Sequence, residues 1–342
     1  MSKLIISGNS GMFLRDIGAE YQEAAKNFMQ FLNDQGAYSP NTLRDLRLVF
    51  HSWARWCHAR GLAWFPISPE AAREYLLQLH DADLASTTIE KHYAMLNMLL
   101  SQCGLPQLSD DKSVSLAMRR IRREAATEKG ERTGQAVPLR WGDLKLIDVL
   151  LSRSDRLVDL RNRAFLFLAY NTLLRMAEMS RVRVRDLEQT GDTVTLHVSH
   201  TKTITTAAGL DKVLSRWTTA VLNDWLDASG LREHPDAILF PPVHRSNKAR
   251  ITTTPLTAPA MEKIFSDAWA LLGKSDATPN KGRYRTWTGH SARVGAAIDM
   301  AEKQVSLVEI MQEGTWKKPE TLMRYLRRGG VTAGANSRLM DS

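Results

Sequence analysis

The sequence predicts a mainly α protein in two parts, an N-terminal helical bundle and a larger, mostly helical domain carrying a small antiparallel β-sheet. Three observations lead there. Apolar residues recur at three- and four-residue spacing along most of the chain, in runs opened by capping residues and closed by glycine or proline. One stretch, Thr193-Val194-Thr195-Leu196-His197-Val198, instead alternates and is rich in β-branched side chains, the signature of a strand. Between the two parts, Thr127-Glu128-Lys129-Gly130-Glu131-Arg132-Thr133-Gly134-Gln135 has no apolar residue, which reads as a linker. The expected organisation is a flexible tail over 1–17, a helical domain over 18–127, a linker over 128–136 and a second domain over 137–342.

In chain order, the first helix starts near Glu20 with Ala25, Phe28, Met29 and Leu32 on one face, and Gly36 stops it. Ser39-Pro40 pairs an N-cap with a first-turn proline. The helix it opens runs to about Arg60 and buries Leu43, Leu46, Phe50, Trp53 and Cys57, leaving Arg44, Arg47, His51 and Arg55 on the other side. Ser68-Pro69 opens a third helix with Tyr75, Leu76 and Leu79 inward. Thr87-x-x-Glu90 is a capping box for a fourth, which carries Lys91 and is ended by Gly104 and Pro106. The fifth spans about Asp111 to Thr127 and contains Arg119, Arg120, Arg122 and Arg123. Short links between five helices predict a compact bundle. In the second domain helices are expected around 141–152, 158–174, 220–228 and 258–272. A turn at Thr201-Lys202-Thr203 precedes another short strand, which puts Lys202 at a hairpin tip.

Composition narrows the function. With 342 residues, 43% apolar and 24% charged, the chain is an ordinary folded protein. Its net charge of +9 favours a polyanionic partner, nucleic acid first. Cys57 and Cys103 have no ligand spacing and read as buried free thiols in a reducing compartment. No apolar run approaches a membrane span, so no membrane partner is expected, and the chain reads as intracellular. There is no HExxH, no zinc spacing and no phosphate-binding GxxxxGK[ST], and nothing in the sequence calls for a metal or nucleotide cofactor.

The chemistry concentrates near the C-terminus. Thr288-Gly289-His290-Ser291-Ala292-Arg293 reads as the entry to a helix, with His290 and Arg293 on one face and the helix start beside them. An imidazole, a guanidinium and unpaired N–H groups at one point suit a phosphate. Ser306-x-x-Glu309 caps a short helix closed by Gly314; Trp316 follows, and Pro319 opens the helix that carries Tyr325. A tyrosine hydroxyl can act as a nucleophile given a proton acceptor and cations to stabilise the developing charge. Taken singly, each residue has an ordinary reading as well. Arg175 and Glu178 can form a structural ion pair, Lys202 can be a solvated lysine, His290 a structural histidine and Trp316 core, while Tyr325 is one of seven tyrosines.

As a set these residues resemble the tyrosine recombinases. His290-x-x-Arg293, Trp316 and Tyr325 carry the resemblance. The strings Tyr170-Asn171-Thr172-Leu173-Leu174-Arg175 and Gly289-His290-Ser291-Ala292-Arg293-Val294-Gly295-Ala296-Ala297 are similar to the Cre type, and the similarity covers essentially the whole length. The resemblance implies a core-DNA-binding N-terminal domain and a catalytic C-terminal domain. It also implies a cofactor-independent DNA strand transferase that recombines paired rox-like duplex sites through a 3′-phosphotyrosine and a Holliday junction. The implied catalytic set is Tyr325, Arg175, Glu178, Lys202, His290, Arg293 and Trp316. A last helix after Gly329-Gly330, ending near Leu339-Met340, would dock on a neighbouring subunit and build a homotetramer on two DNA sites; a frayed terminus is the other reading.

Candidate DNA contacts are Arg44, Arg47 and Lys91 for the groove or phosphates, and Arg119, Arg120, Arg122 and Arg123 for the backbone. His244 and Arg245, with Lys248 and Arg250 nearby, and Arg283 before the catalytic helix complete the list. Each basic run reads equally as a solvated helix face or loop. A topoisomerase of type IB, relaxing DNA without pairing sites, and a non-enzymatic DNA-binding protein are the alternative functions.

Overall fold

The computed structural model describes residues 21–131, 134–198, 209–275 and 285–328. It is mainly α-helical with a small antiparallel sheet, the predicted class. The chain divides into two compact units, Met1–Thr133 and Gly134–Ser342.

The first unit holds α1 (Gln22–Asn33), α2 (Pro40–His58), α3 (Pro69–Asp81), α4 (Ser86–Gln102) and α5 (Lys112–Thr127). Ser39, Ser68 and Asp111 cap α2, α3 and α5 through their side-chain oxygens. The core is aromatic at its centre. Trp53 is fully buried, stacks on Trp56 at 5.5 Å, meets Tyr75 edge-on at 5.3 Å and donates its indole N–H to the carbonyl of Trp64 at 2.8 Å. The Tyr75 hydroxyl lies 2.9 Å from Ser52 Oγ and 2.7 Å from His92 Nδ1, so both ring ends of this cluster are satisfied. Cys57 and Cys103 are buried free thiols, and burial pushes each up to about 11, far from a reactive thiolate at neutral pH.

Two expectations change here. The buried seam of α1 centres on Ala24 and Phe31, with Phe28 and Leu32 only partly covered. The Thr87–Glu90 capping box does not form. Helix α4 begins at Ser86, and its first N–H is received by the Glu131 carboxylate at 3.0 and 3.2 Å. Glu90 instead accepts from Arg122 Nε at 2.8 Å. A carboxylate forty-five residues away satisfies an orphan N–H of the first turn and adds a favourable charge at the helix start.

The second unit opens with α6 (Trp141–Leu151) and the apolar α7 (Leu157–Thr172), followed by the short α8 (Met176–Met179). A three-stranded antiparallel sheet follows in the order β1 (Leu187–Thr190), β2 (Thr193–Val198), β3 (Leu210–Val213). Next come α9 (Arg216–Ser229), a two-stranded ribbon of β4 (Val243–His244) and β5 (Lys248–Ala249), α10 (Ala258–Leu271), α11 (Ser291–Glu302), α12 (Leu307–Glu313) and α13 (Pro319–Arg328). The predicted strand is β2, whose inward Val194, Leu196 and Val198 alternate with more exposed residues. α7 packs centrally, buried almost all round, and α9 and α11 lie against it. Among the described residues no helix is long and apolar enough to cross a membrane.

Candidate active site and nucleic-acid interface

α11 carries the site, and the chain fixes it from two sides. Asp299, near its end, accepts from Arg140 Nε at 2.6 Å, from the Trp141 backbone N–H at 2.7 Å and from the Tyr170 hydroxyl. Burial and this carboxylate push the Tyr170 hydroxyl well above its usual range, so Tyr170 is a fixed proton donor and no nucleophile. At the other end, Leu139 N–H donates to the Ser291 carbonyl at 3.0 Å. Gly295 permits that approach, because a Cβ there would overlap the Leu139 carbonyl. The helix starts at Ser291, later than Thr288-Gly289 suggested. His290 is the N-cap residue, and Ser291 Oγ accepts from Thr288 N–H at 2.8 Å. His290 therefore sits at the mouth of the helix with its side chain exposed, while Arg293 points inward from the first turn.

Arg293 is the centre of the arrangement. It is 2% exposed. Its guanidinium donates to the main-chain carbonyl of Leu173, and to that of Gly314 at 2.8 Å. Leu173 presents its carbonyl because it closes α7 in the left-handed conformation, φ 53°. Trp316 lies against the guanidinium at 5.0 Å, and Tyr325 meets the Trp316 ring edge-on at 5.8 Å. Gly314 has no room for a side chain, since a Cβ would strike the Trp316 ring. The left-handed turn between α12 and Trp316 falls on Thr315, φ 54°, rather than on Gly314.

Arg175 and Glu178 flank this group. Arg175 caps α8 and donates from its backbone N–H to Glu178 Oε2 at 2.8 Å and from Nη1 to Oε1 at 2.9 Å. The ion pair weighed for these two residues exists, and it stands beside Arg293 rather than apart from it. Burial first, then the neighbouring Arg175 charge, pulls the Arg293 guanidinium down to about 10, with Glu178 and Tyr325 opposing. At neutral pH it remains charged. Its hydrogen-bond acceptors among the described residues are two main-chain carbonyls, so its positive charge is held in place largely by dipoles.

The fold thus brings Arg175, Glu178, Arg293, Trp316 and Tyr325 together, with His290 one turn from Arg293. Lys202 and Arg283, and the segment after residue 328, lie outside the described residues. One residue the sequence reading passed over is Glu262 on α10, whose Oε2 accepts from Gly289 N–H at 2.9 Å and so holds the turn that leads into His290. Its signal was faint, one of two acids in a largely apolar helix. Lys212 on β3 is another, donating to the Glu313 main-chain carbonyl at 2.5 Å.

The basic candidates of the first unit lie on exposed helix surfaces. Arg44 and Lys91, from α2 and α4, both reach Asp45, each at 3.8 Å, so these helices present their cations side by side; half-buried Arg47 lies one turn along α2 from Arg44. On α5, Arg120 is drawn to Glu124 at 2.6 Å and Arg122 to Glu90, whereas Arg119 and Arg123 are exposed one turn apart. His244, Arg245 and Lys248 are exposed on the β4–β5 ribbon, with Arg250 just beyond it; the ribbon itself is too short to have been read from the sequence.

Comparison with known proteins decides the family. Residues 143–329 match the phage integrase family, and residues 25–101 match the phage integrase N-terminal SAM-like domain. The chain belongs to the phage integrase family. It is 42% identical over 328 residues to the Cre recombinase of Escherichia phage P1, covering 95% of each chain. It is also 24% identical over 299 residues to an integrase/recombinase XerD homolog of Selenomonas ruminantium, covering 85% of this chain and 82% of that one. Among solved structures, the XerH site-specific recombinase bound to a palindromic difH substrate shares the fold at a TM-score of 0.58 and 14% identity, over 88% of this chain and 80% of that chain. The chain is accordingly a tyrosine site-specific recombinase of the Cre type.

Proposed function

We propose that this recombinase cleaves and rejoins duplex DNA at paired rox-like sites, with specificity nearest that of Dre recombinase within the Cre type. The observation that carries the chemistry is Arg293. A buried guanidinium held by two carbonyls, with Trp316 between it and Tyr325, is completed by an anion, and a phosphodiester beside a tyrosine is the anion that fits. The XerH relative crystallised on its DNA substrate supports the same class of partner.

In this reading the Tyr325 hydroxyl attacks the scissile phosphorus while its proton passes to His290. The P–O5′ bond breaks, and the leaving 5′ oxygen takes a proton from Lys202. Arg175, Arg293 and the Trp316 indole N–H stabilise the charge on the phosphorane, and Glu178 holds Arg175 in place. The product is a 3′-phosphotyrosine and a free 5′ hydroxyl. The partner strand's 5′ hydroxyl reverses the step and, twice repeated, passes through a Holliday junction; the energy of the broken bond is kept in the phosphotyrosine, so no cofactor is consumed. Residues 18–127 serve as the core-DNA-binding domain, with Arg44, Arg47, Lys91, Arg119 and Arg123 toward DNA, and residues 137–342 as the catalytic domain. Four copies assemble on two sites through the segment after Gly330, in the cytoplasm of a bacterial host of the encoding phage.

Covalent trapping tests this. Wild-type protein and Tyr325→Phe are incubated with labelled duplex carrying a rox-type site and quenched with detergent. The wild type should give a shifted covalent band and the variant none, although both bind the duplex. A covalent band from Tyr325→Phe would remove Tyr325 from the role. Truncation after Gly330 should keep single-site binding and abolish pairing of two sites.

A further inference from the structure

Lys212 is buried where a strand of this sheet would ordinarily place an apolar residue. It pairs with fully buried Leu196 across β2 and β3, faces the same inner side, and is 5% exposed. Its ammonium reaches the C-terminal end of α12. There it donates to the Glu313 main-chain carbonyl at 2.5 Å and to Glu313 Oε2 at 3.0 Å. The last carbonyls of a helix lack intrahelical partners and carry partial negative charge, so an ammonium is matched to this position. An apolar side chain of similar length would fill the same channel without the desolvation cost of a charge. What lysine adds is a directed tie to the carbonyl and the carboxylate of one residue.

That carbonyl belongs to the residue just before the site. Gly314 follows, and its carbonyl receives Arg293 Nη2; Thr315 turns the chain in the left-handed region; Trp316 then lies against Arg293 and Tyr325. Three consecutive residues therefore connect the Lys212 contact to one carbonyl and one ring that hold the buried guanidinium. We infer that Lys212 is a positioning residue for the phosphate site: it fixes the corner between α12 and α13 so that Gly314 O and the Trp316 ring keep Arg293 in register. The inference rests on the reading of Arg293 and Trp316 as phosphate ligands given above.

The test uses the full chain, with Lys212→Met to keep volume and remove the donor, Lys212→Arg to restore one, and wild type and Tyr325→Phe alongside. Without DNA, the ¹⁵N indole resonance of Trp316, assigned by its loss in Trp316→Phe, should shift or broaden in Lys212→Met and return toward the wild-type position in Lys212→Arg. With labelled rox-type duplex, Lys212→Met should bind within about twofold of wild type yet form the covalent band about ten- to a hundredfold more slowly, the penalty of a small misplacement of catalytic groups. Lys212→Arg should recover most of that rate. A duplex with sulfur in place of the bridging 5′ oxygen needs no leaving-group proton, and Lys212→Met should remain slow on it. Wild-type speed on the sulfur substrate would make Lys212 itself the proton donor and overturn the positioning role. An unchanged Trp316 resonance in Lys212→Met would overturn it as well. Should the wild type form no covalent band at all, the phosphotyrosine reading falls, while the indole resonance still decides whether residue 212 governs Trp316.

Discussion

The two units handle polar groups in opposite ways. Among the described residues of the first unit, the one buried residue of the His, Lys, Arg, Asp and Glu types is His80, beside Glu124, and the arginines other than half-buried Arg47 are exposed. The second unit buries Arg161, Arg163, Glu178, Lys212 and Arg293. Some of these are neutralised; Arg163, for one, meets Asp148 at 2.6 Å and Asp224 at 2.8 Å. Arg293 instead donates to main-chain carbonyls. A cation neutralised by a carboxylate is finished chemistry, whereas one satisfied by dipoles keeps its charge for a ligand. The difference teaches where each unit's purpose lies. The first is held together by apolar packing and displays cations outward; the second also buries cations, Arg293 of the candidate site among them.

The comparison breaks most visibly if the first unit does not depend on its aromatic centre. Trp53→Ala removes the ring that joins Trp56, Tyr75 and the Trp64 carbonyl, and should cost about 3–5 kcal/mol of local stability. Hydrogen exchange of peptides from α2, α3 and α4 in the full chain reads this directly. Protection should fall there and stay unchanged in α7 and α11. Equal loss in both units would mean that one cooperative core spans them.

Arg293→Lys is the matching test of the second unit. A lysine cannot donate to Leu173 and Gly314 together while lying flat on Trp316, so the site loses geometry while keeping its charge. Single-turnover formation of the covalent band should slow by about 10²–10³-fold, the usual loss for one preorganised donor to a developing anion. Duplex binding, which sums many phosphate contacts, should change far less. A lysine variant with near wild-type cleavage would show that buried charge alone suffices and that the carbonyl-held geometry is incidental.

The same contrast explains what the sequence disclosed. Caps at Ser39, Ser68, Asp111, Ser215 and Ser306 were open to reading in principle because donor and acceptor lie within four residues, and Ser306–Glu309 forms the reciprocal pair that its spacing predicts. The start of α4 was not, because Glu131 arrives from another part of the chain. β2 showed its alternation, but β1, β4 and β5 are two to four residues long and exist through pairing, which leaves no periodicity to detect. His290 and Arg293 were legible from their three-residue spacing, whereas Trp316 and Tyr325 joined them only through the resemblance to the tyrosine recombinases. The acceptors that hold Arg293 were not, since a main-chain carbonyl carries no residue identity. Lys212 was hidden for a related reason: in a strand written Leu-Asp-Lys-Val, which side faces inward is decided by the register with β2.

The smallest effect sharpens the claim that the first unit displays its cations outward. His92 is half-buried beside the Tyr75 hydroxyl, and burial first, then the Lys91 charge, lowers its pKa below the ordinary 6.5. As pH falls through 6.5 the unfolded chain takes up a proton that the folded chain refuses. Stability of this unit should therefore fall from pH 6.5 downward and level off only below the lowered folded value, with a slope of at most about 1.4 kcal/mol per pH unit from this one group. Carboxylates add their own acid dependence at lower pH, so the informative measurement is a difference. Hydrogen-exchange protection of α3 and α4 is followed from pH 7.5 to 5 in wild type and in His92→Gln, after correction for intrinsic exchange. The variant should lose the part of the slope that begins at 6.5 and keep the rest. A wild-type curve flat through that window, or one that rises on acidification, would mean that the histidine is charged inside the fold, and that the first unit, like the second, tolerates a cation among its aromatic rings.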